Sequence, residues 1–137
     1  INAINDMERV GDHDINLLEL AEDRQENALP FSNKAVNELR EMATLVEQSF
    51  SDAVKAFTEL DHDLANQVIQ HEDLIDEMDK KLRNDHIKRL NDGTCNPNSG
   101  FIFLSIITNL ERIGDHAFNL ASYLARKDRH YARLPVK

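Results

Sequence analysis

Residues 33 to 60 read NKAVNELREMATLVEQSFSDAVKAFTEL, and within them Val36, Leu39, Ala43, Val46, Phe50, Ala53, Phe57 and Leu60 recur at alternating steps of three and four. That spacing lays one apolar stripe along a long helix, the seam of a helix packed in a bundle. Ser32 or Asn33 supplies an N-cap, and Pro30 rules out a smooth helix running into it from the preceding residues. After the turn Asp61-His62-Asp63 the same rhythm returns at Leu64, Val68, His71, Ile75, Met78 and Leu82, predicting a helix over about 62–92 that stops at Asp92-Gly93. Asn96 and Pro97 then form a cap and a first helical residue, ahead of a stripe at Phe103, Ile106, Leu110, Ile113, Ala117, Leu120 and Leu124. An earlier helical segment covers about residues 1–25. No strand alternation or glycine-rich phosphate loop interrupts the pattern. The expected fold is all-α, an antiparallel bundle of about four long helices, each about 40 Å long.

The 137 residues suffice for one domain with a proper core, and the whole of 1–137 is read as a single helical domain ending in a basic tail at 126–137. A formal charge of -9 argues against nucleic acid as the main partner and suits metal cations or basic partners better. One cysteine, Cys95, builds no disulfide framework, which points to a reducing compartment. The longest apolar run, 101–107, is too short for a membrane-spanning segment. The chain begins with Ile1, and the apolar spacing Ile1, Ile4, Met7 is already running, so the expectation is a piece of a longer chain.

One string occurs twice. Met-Glu-Arg-Val-Gly-Asp-His at 7–13 and Leu-Glu-Arg-Ile-Gly-Asp-His at 110–116 each continue to an Asn-Leu pair, at 16–17 and 119–120. In both copies a Glu stands four residues before an Asp, placing like charges side by side on a helix, where they repel by about a few tenths of a kcal/mol and something positive is expected to compensate them. With Leu110 and Ile113 in the core, Glu111 and Asp115 fall roughly 130° to 170° from the middle of the buried stripe, on the outside of the bundle. Glu8 and Asp12 stand in the same relation to Met7 and Val10. Glu72 and Asp76 are again four apart, and antiparallel packing would gather Glu72, Asp76, Glu111 and Asp115 into one acidic patch. Oxygen-rich sites of that kind suit iron, manganese, magnesium or calcium, with nearby histidines extending the choice to zinc or nickel. The alternative is a solvated acidic face screened by Arg9 and Arg112. Gly11 and Gly114 are costly in mid-helix, by about 1 kcal/mol relative to Ala, so they mark close helix contact or room for a ligand. His13 and His116 fall about 90° from the core centre, as boundary groups. His71 is expected in the seam as a satisfied core histidine, while His62, His86 and His130 carry no pattern.

The repeated Glu-Arg-[Val/Ile]-Gly-Asp-His string followed by Asn-Leu resembles the signature of the PhoU family, whose members are built from two three-helix repeats. Residues 33–125 look like one whole repeat, and 1–25 like the last helix of a preceding one. The loop 89–95, leading through 99–104 into the second motif, is similar to the C-terminal cytoplasmic PhoU-like region of bacterial sodium/phosphate cotransporters. The resemblance implies a non-catalytic regulatory domain in phosphate transport, on the cytoplasmic side of the membrane and joined to the transporter portion of the same chain. It further implies metal ions, iron, zinc or nickel and also multinuclear clusters, held by Glu111 and Asp115, Glu72 and Asp76, and Glu8 and Asp12. A free-standing PhoU-type regulator and a metal-free docking bundle are the alternatives. The first copy departs from the pattern, because Glu8 and Asp12 lack an in-chain partner pair and Asp14 takes the place of the buried Ala117. A homodimer is the expected cover for the apolar face left by a partial first repeat.

Overall fold

The computed structural model describes residues 31–133, with side chains as far as 125, together with residues 5, 8–12, 14, 16, 17, 19, 21 and 22. The described positions between 5 and 22 are all helical and are termed α1; α2 (Asn33–Glu59), α3 (His62–Asn91) and α4 (Pro97–Arg133) follow. The outer ends of the expected first helix, His13 and the side chains of the basic tail lie outside the described residues. Among the described residues there is no strand, and no helix is long and apolar enough to cross a membrane.

The caps explain the boundaries. Ser32 is the N-cap of α2, its Oγ accepting from the Ala35 N–H at 3.1 Å. The expected turn at 61–63 is narrower than the sequence implied: Asp61 caps α3 by accepting from the Leu64 N–H, so His62 and Asp63 are already helical. Gly93, at φ 73°, ends α3, and Asn96 Oδ1 accepts from the Asn98 N–H at the start of α4. Contacts between α3 and α4 run in opposite directions along the two helices. His86 stacks on Phe103, Arg83 donates to Thr108, and Ile75 lies against Gly114. α3 and α4 are therefore antiparallel, and α2 packs on both.

The expected stripe of α4 is buried apart from a half-buried Ile106. That of α2 is displaced by about one residue. Its buried line is Ala35, Met42, Val46, Ser49, Ala53 and Ala56, while Val36, Leu39, Ala43, Phe50 and Phe57 flank it half-buried. Ala35, Ser49, Ala53 and Ala56 on this line leave room for close approach of the two neighbouring helices, Met42 and Val46 fill it, and the flanking residues pack from the sides. Leu60, expected at the end of the stripe, is 61 % exposed. It is the C-cap of α2 with φ 55° and ψ 41°, a left-handed conformation that costs a residue with a Cβ about 1 kcal/mol or more. Leu60→Gly is therefore expected to raise stability by about 1 kcal/mol in urea unfolding; an unchanged or lower midpoint would contradict this account of the turn.

Candidate metal centre

The antiparallel register of α3 and α4 decides which carboxylates meet. Glu72 and Asp76, one turn apart on α3, face Asp115 on α4, and one carboxylate oxygen from each lies within 4.8 Å of the others. Metal–oxygen bonds of about 2.0–2.6 Å span such a triangle with small side-chain rotations. All three residues are half-buried, and so is Glu111. The outward orientation expected for Glu111 and Asp115 thus needs correcting. The flank of α3 covers them, because Gly114 presents no side chain and lets Ile75 and Glu72 come close.

Burial, a hydrogen bond with Asp115, and the charges of Asp115, Asp76 and Glu111 push the Glu72 carboxyl up to about 8. Burial, the charge of Asp115 and a hydrogen bond with it push Glu111 up to about 7. Asp76 is also raised, by burial and by Asp115, against the opposing pull of Lys80. Asp115 is the neighbour common to both shifts. Among the described residues no Lys or Arg forms an ion pair with these four. Asp79, one turn further along α3, is by contrast paired with Arg83 at 2.9 Å. A cation bound here would relieve the same repulsion that raises Glu72 and Glu111. The donors are all carboxylate, and among the described residues no histidine joins the triangle. That set fits iron(II), manganese, magnesium or calcium better than zinc or nickel, which favour nitrogen or sulfur.

The first copy is arranged differently. Glu8 and Asp12 are exposed on α1 with Asn5 and Arg9 beside them, and among the described residues no third metal-binding side chain comes within ligand distance. Asp14 is exposed where Ala117 is fully buried, and α1 reaches α4 through Asn16 and Asn109, whose side chains lie 3.5 Å apart. The two motif glycines differ in the same way. A Cβ on Gly11 would meet nothing within 4 Å, but one on Gly114 would lie 3.3 Å from two carbons of the fully buried Ile75. Gly11→Ala is expected to stabilise by about 0.5–1 kcal/mol through helix propensity. Gly114→Ala is expected to fall at least about 1 kcal/mol below it, since Ile75 has no room to yield. Equal unfolding midpoints for the two variants would refute this distinction.

The family model of the PhoU domain matches residues 39–124, more than half of the chain and the whole of this site. The chain belongs to the PhoU domain family. It is 37 % identical over 116 residues to the phosphate-specific transport system accessory protein PhoU homolog 1 of Thermotoga maritima, covering 85 % of this chain and 49 % of that protein. It is 30 % identical over 96 residues to the corresponding PhoU homolog of Clostridium acetobutylicum, covering 66 % of this chain and 43 % of that one. The chain spans about half the length of these curated relatives. No solved structure matches.

Two features of this PhoU domain were not anticipated. Asp79 continues the acidic line of Glu72 and Asp76 at helical spacing, and its charge helps to raise Glu111. His86, read as patternless, is 2 % exposed. The spacing Ile75, Leu82, His86 places it on the α3 stripe, a signal masked by its polarity. His71 is not the satisfied core histidine expected, since its buried Nδ1 has no hydrogen-bond partner among the described residues.

Proposed function

We propose that this PhoU domain is a non-catalytic regulator of phosphate transport that holds a metal ion on the flank of α3 and α4 through Glu72, Asp76 and Asp115, with Glu111 beside them. The observation that carries the metal reading is the meeting of three carboxylates from two helices with no basic side chain among the described residues paired to them. The phosphate reading rests on family membership and on the relatives' names as accessory proteins of phosphate-specific transport. Those names favour a PhoU-type accessory protein. The resemblance of loop 89–95 to the cytoplasmic region of sodium/phosphate cotransporters supports a second reading, in which the domain is attached to the transporter. A di-iron carboxylate oxidase is a poor alternative: the Glu-x-x-His spacing of Glu59 and His62 straddles the α2–α3 turn and does not share one helix.

The functional test is phosphate uptake in cells whose native gene product is replaced by its Glu111→Ala, Asp115→Ala variant. Uptake is expected to match that of cells lacking the protein. Uptake equal to wild type, with the variant present at normal abundance, would refute the role of the cluster. The two readings separate by fractionation: a transporter-attached domain stays with membranes after an alkaline wash, and an accessory protein is released.

A further inference from the structure

About 15 Å along α3 from Asp76, at 1.5 Å per residue, a cavity opens where the starts of α2 and α4 meet the end of α3. Its volume is about 250 Å³. Ser32, His86, Arg89, Ser99 and Phe103 line it, and none of its lining residues is Asp or Glu, although the chain holds 25 acidic residues. Ser99 is 2 % exposed, and its Oγ has no hydrogen-bond partner among the described residues. A buried hydroxyl without a partner is costly, and a ligand atom in the cavity would satisfy it.

Other donors converge on the same space. The Arg89 guanidinium lies over the Phe103 ring, 3.5 Å from His86 Nδ1 and in a long ion pair with Glu38 Oε1 at 3.6 Å. Both separations are too long to saturate its N–H groups. The Ser32 hydroxyl accepts from the Ala35 N–H, which leaves its own proton to donate elsewhere. The first turns of α2 and α4, two helices of 27 and 37 residues, add the positive ends of their dipoles.

We propose that this cavity binds a small tetrahedral oxyanion of the phosphate class, held by Arg89 and Ser99 between the N-termini of α2 and α4. The site shares no residue with the carboxylate cluster and needs no metal. Its failure would therefore leave the metal reading untouched, and the reverse also holds.

The test uses the metal-stripped 137-residue chain, titrated with inorganic phosphate against a chloride balance at constant ionic strength. Binding is read by calorimetry and by the imidazole resonances of His86, which lines the cavity. Saturable binding that shifts the His86 signals is expected. Ser99→Ala and Arg89→Gln should each weaken it by about tenfold or more. Ser99→Ala removes an unpaired buried hydroxyl and should keep the wild-type melting temperature or raise it, so a loss of binding there is not a loss of fold. If Arg89→Gln unfolds, Ser99→Ala alone decides. No saturation up to tens of millimolar phosphate would overturn the proposal. So would binding unchanged in Ser99→Ala, or binding without movement of the His86 signals.

Discussion

A Glu72→Gln, Asp115→Asn variant is expected to be more stable than the metal-free wild type at pH 8.5 and to lose that advantage at pH 5. In the unfolded chain Glu72 and Glu111 titrate near 4.5, whereas in the fold they do so near 8 and 7. The folded state therefore binds more protons than the unfolded one across this interval, and linkage makes stability fall as pH rises through it. The contribution is fully present below about 4.5 and is lost above about 8. Uncharged amides of similar shape remove most of that slope. Allowing for solvent screening of these half-buried groups, the difference at pH 8.5 is about 1–2 kcal/mol, or a few degrees in melting temperature. Thermal melts with chelator at the two pH values measure it. Parallel pH dependence in the two proteins would mean that the carboxylates do not repel one another in the folded state.

Gly100→Ala should cost about 2 kcal/mol or more, even though alanine is the better helix former. A Cβ at position 100 would stand 2.6 Å from His86 Nε2 and 3.2 Å from Leu90 Cδ2. The imidazole cannot swing away, because it is buried and stacked on Phe103 at a centroid distance of 4.7 Å. Moving the ring would disturb Phe103, which also packs edge-on against Phe31. A double-mutant cycle in urea with His86→Ala assigns the cost, since removing the ring should recover most of it. If the loss persists in full in the His86→Ala background, the clash lies elsewhere in the α4 start.

Periodicity was enough to read α4, because its large apolar residues Phe103, Leu110, Ile113, Leu120 and Leu124 are themselves the buried line. It placed Val46 and Ala53 on the line of α2 but put the rest one position off, because Ala35, Met42, Ser49 and Ala56 are buried where their neighbours Val36, Ala43, Phe50 and Phe57 were expected. The carboxylates were legible as residues and, given antiparallel packing, as one patch of Glu72, Asp76, Glu111 and Asp115; three of them meet as ligands in the structure. Which of them meet depends on the register between α3 and α4, fixed by long-range contacts such as Ile75 against Gly114 and Arg83 with Thr108. A wheel drawn on α4 alone sends Glu111 and Asp115 to solvent, because it takes no account of the flank of α3 that half-buries them. The two motif copies already differ in sequence, since Glu8 and Asp12 lack an in-chain partner pair, and the structure adds a packing difference: Gly114 faces Ile75 and Gly11 faces open space.

If Glu72, Asp76 and Asp115 hold a cation, protein purified without a metal-affinity tag takes up metal at this site. Chelator-stripped wild type and the Glu72→Gln, Asp115→Asn variant would be titrated with iron(II), anaerobically, and with manganese at pH 7.5, with elemental analysis of the dialysed product. The wild type should retain metal in a fixed ratio and release protons as the cation displaces those on Glu72 and Glu111, while the variant binds at least about 100-fold more weakly. No stoichiometric metal in the wild type, or equal retention by both proteins, would contradict the claim.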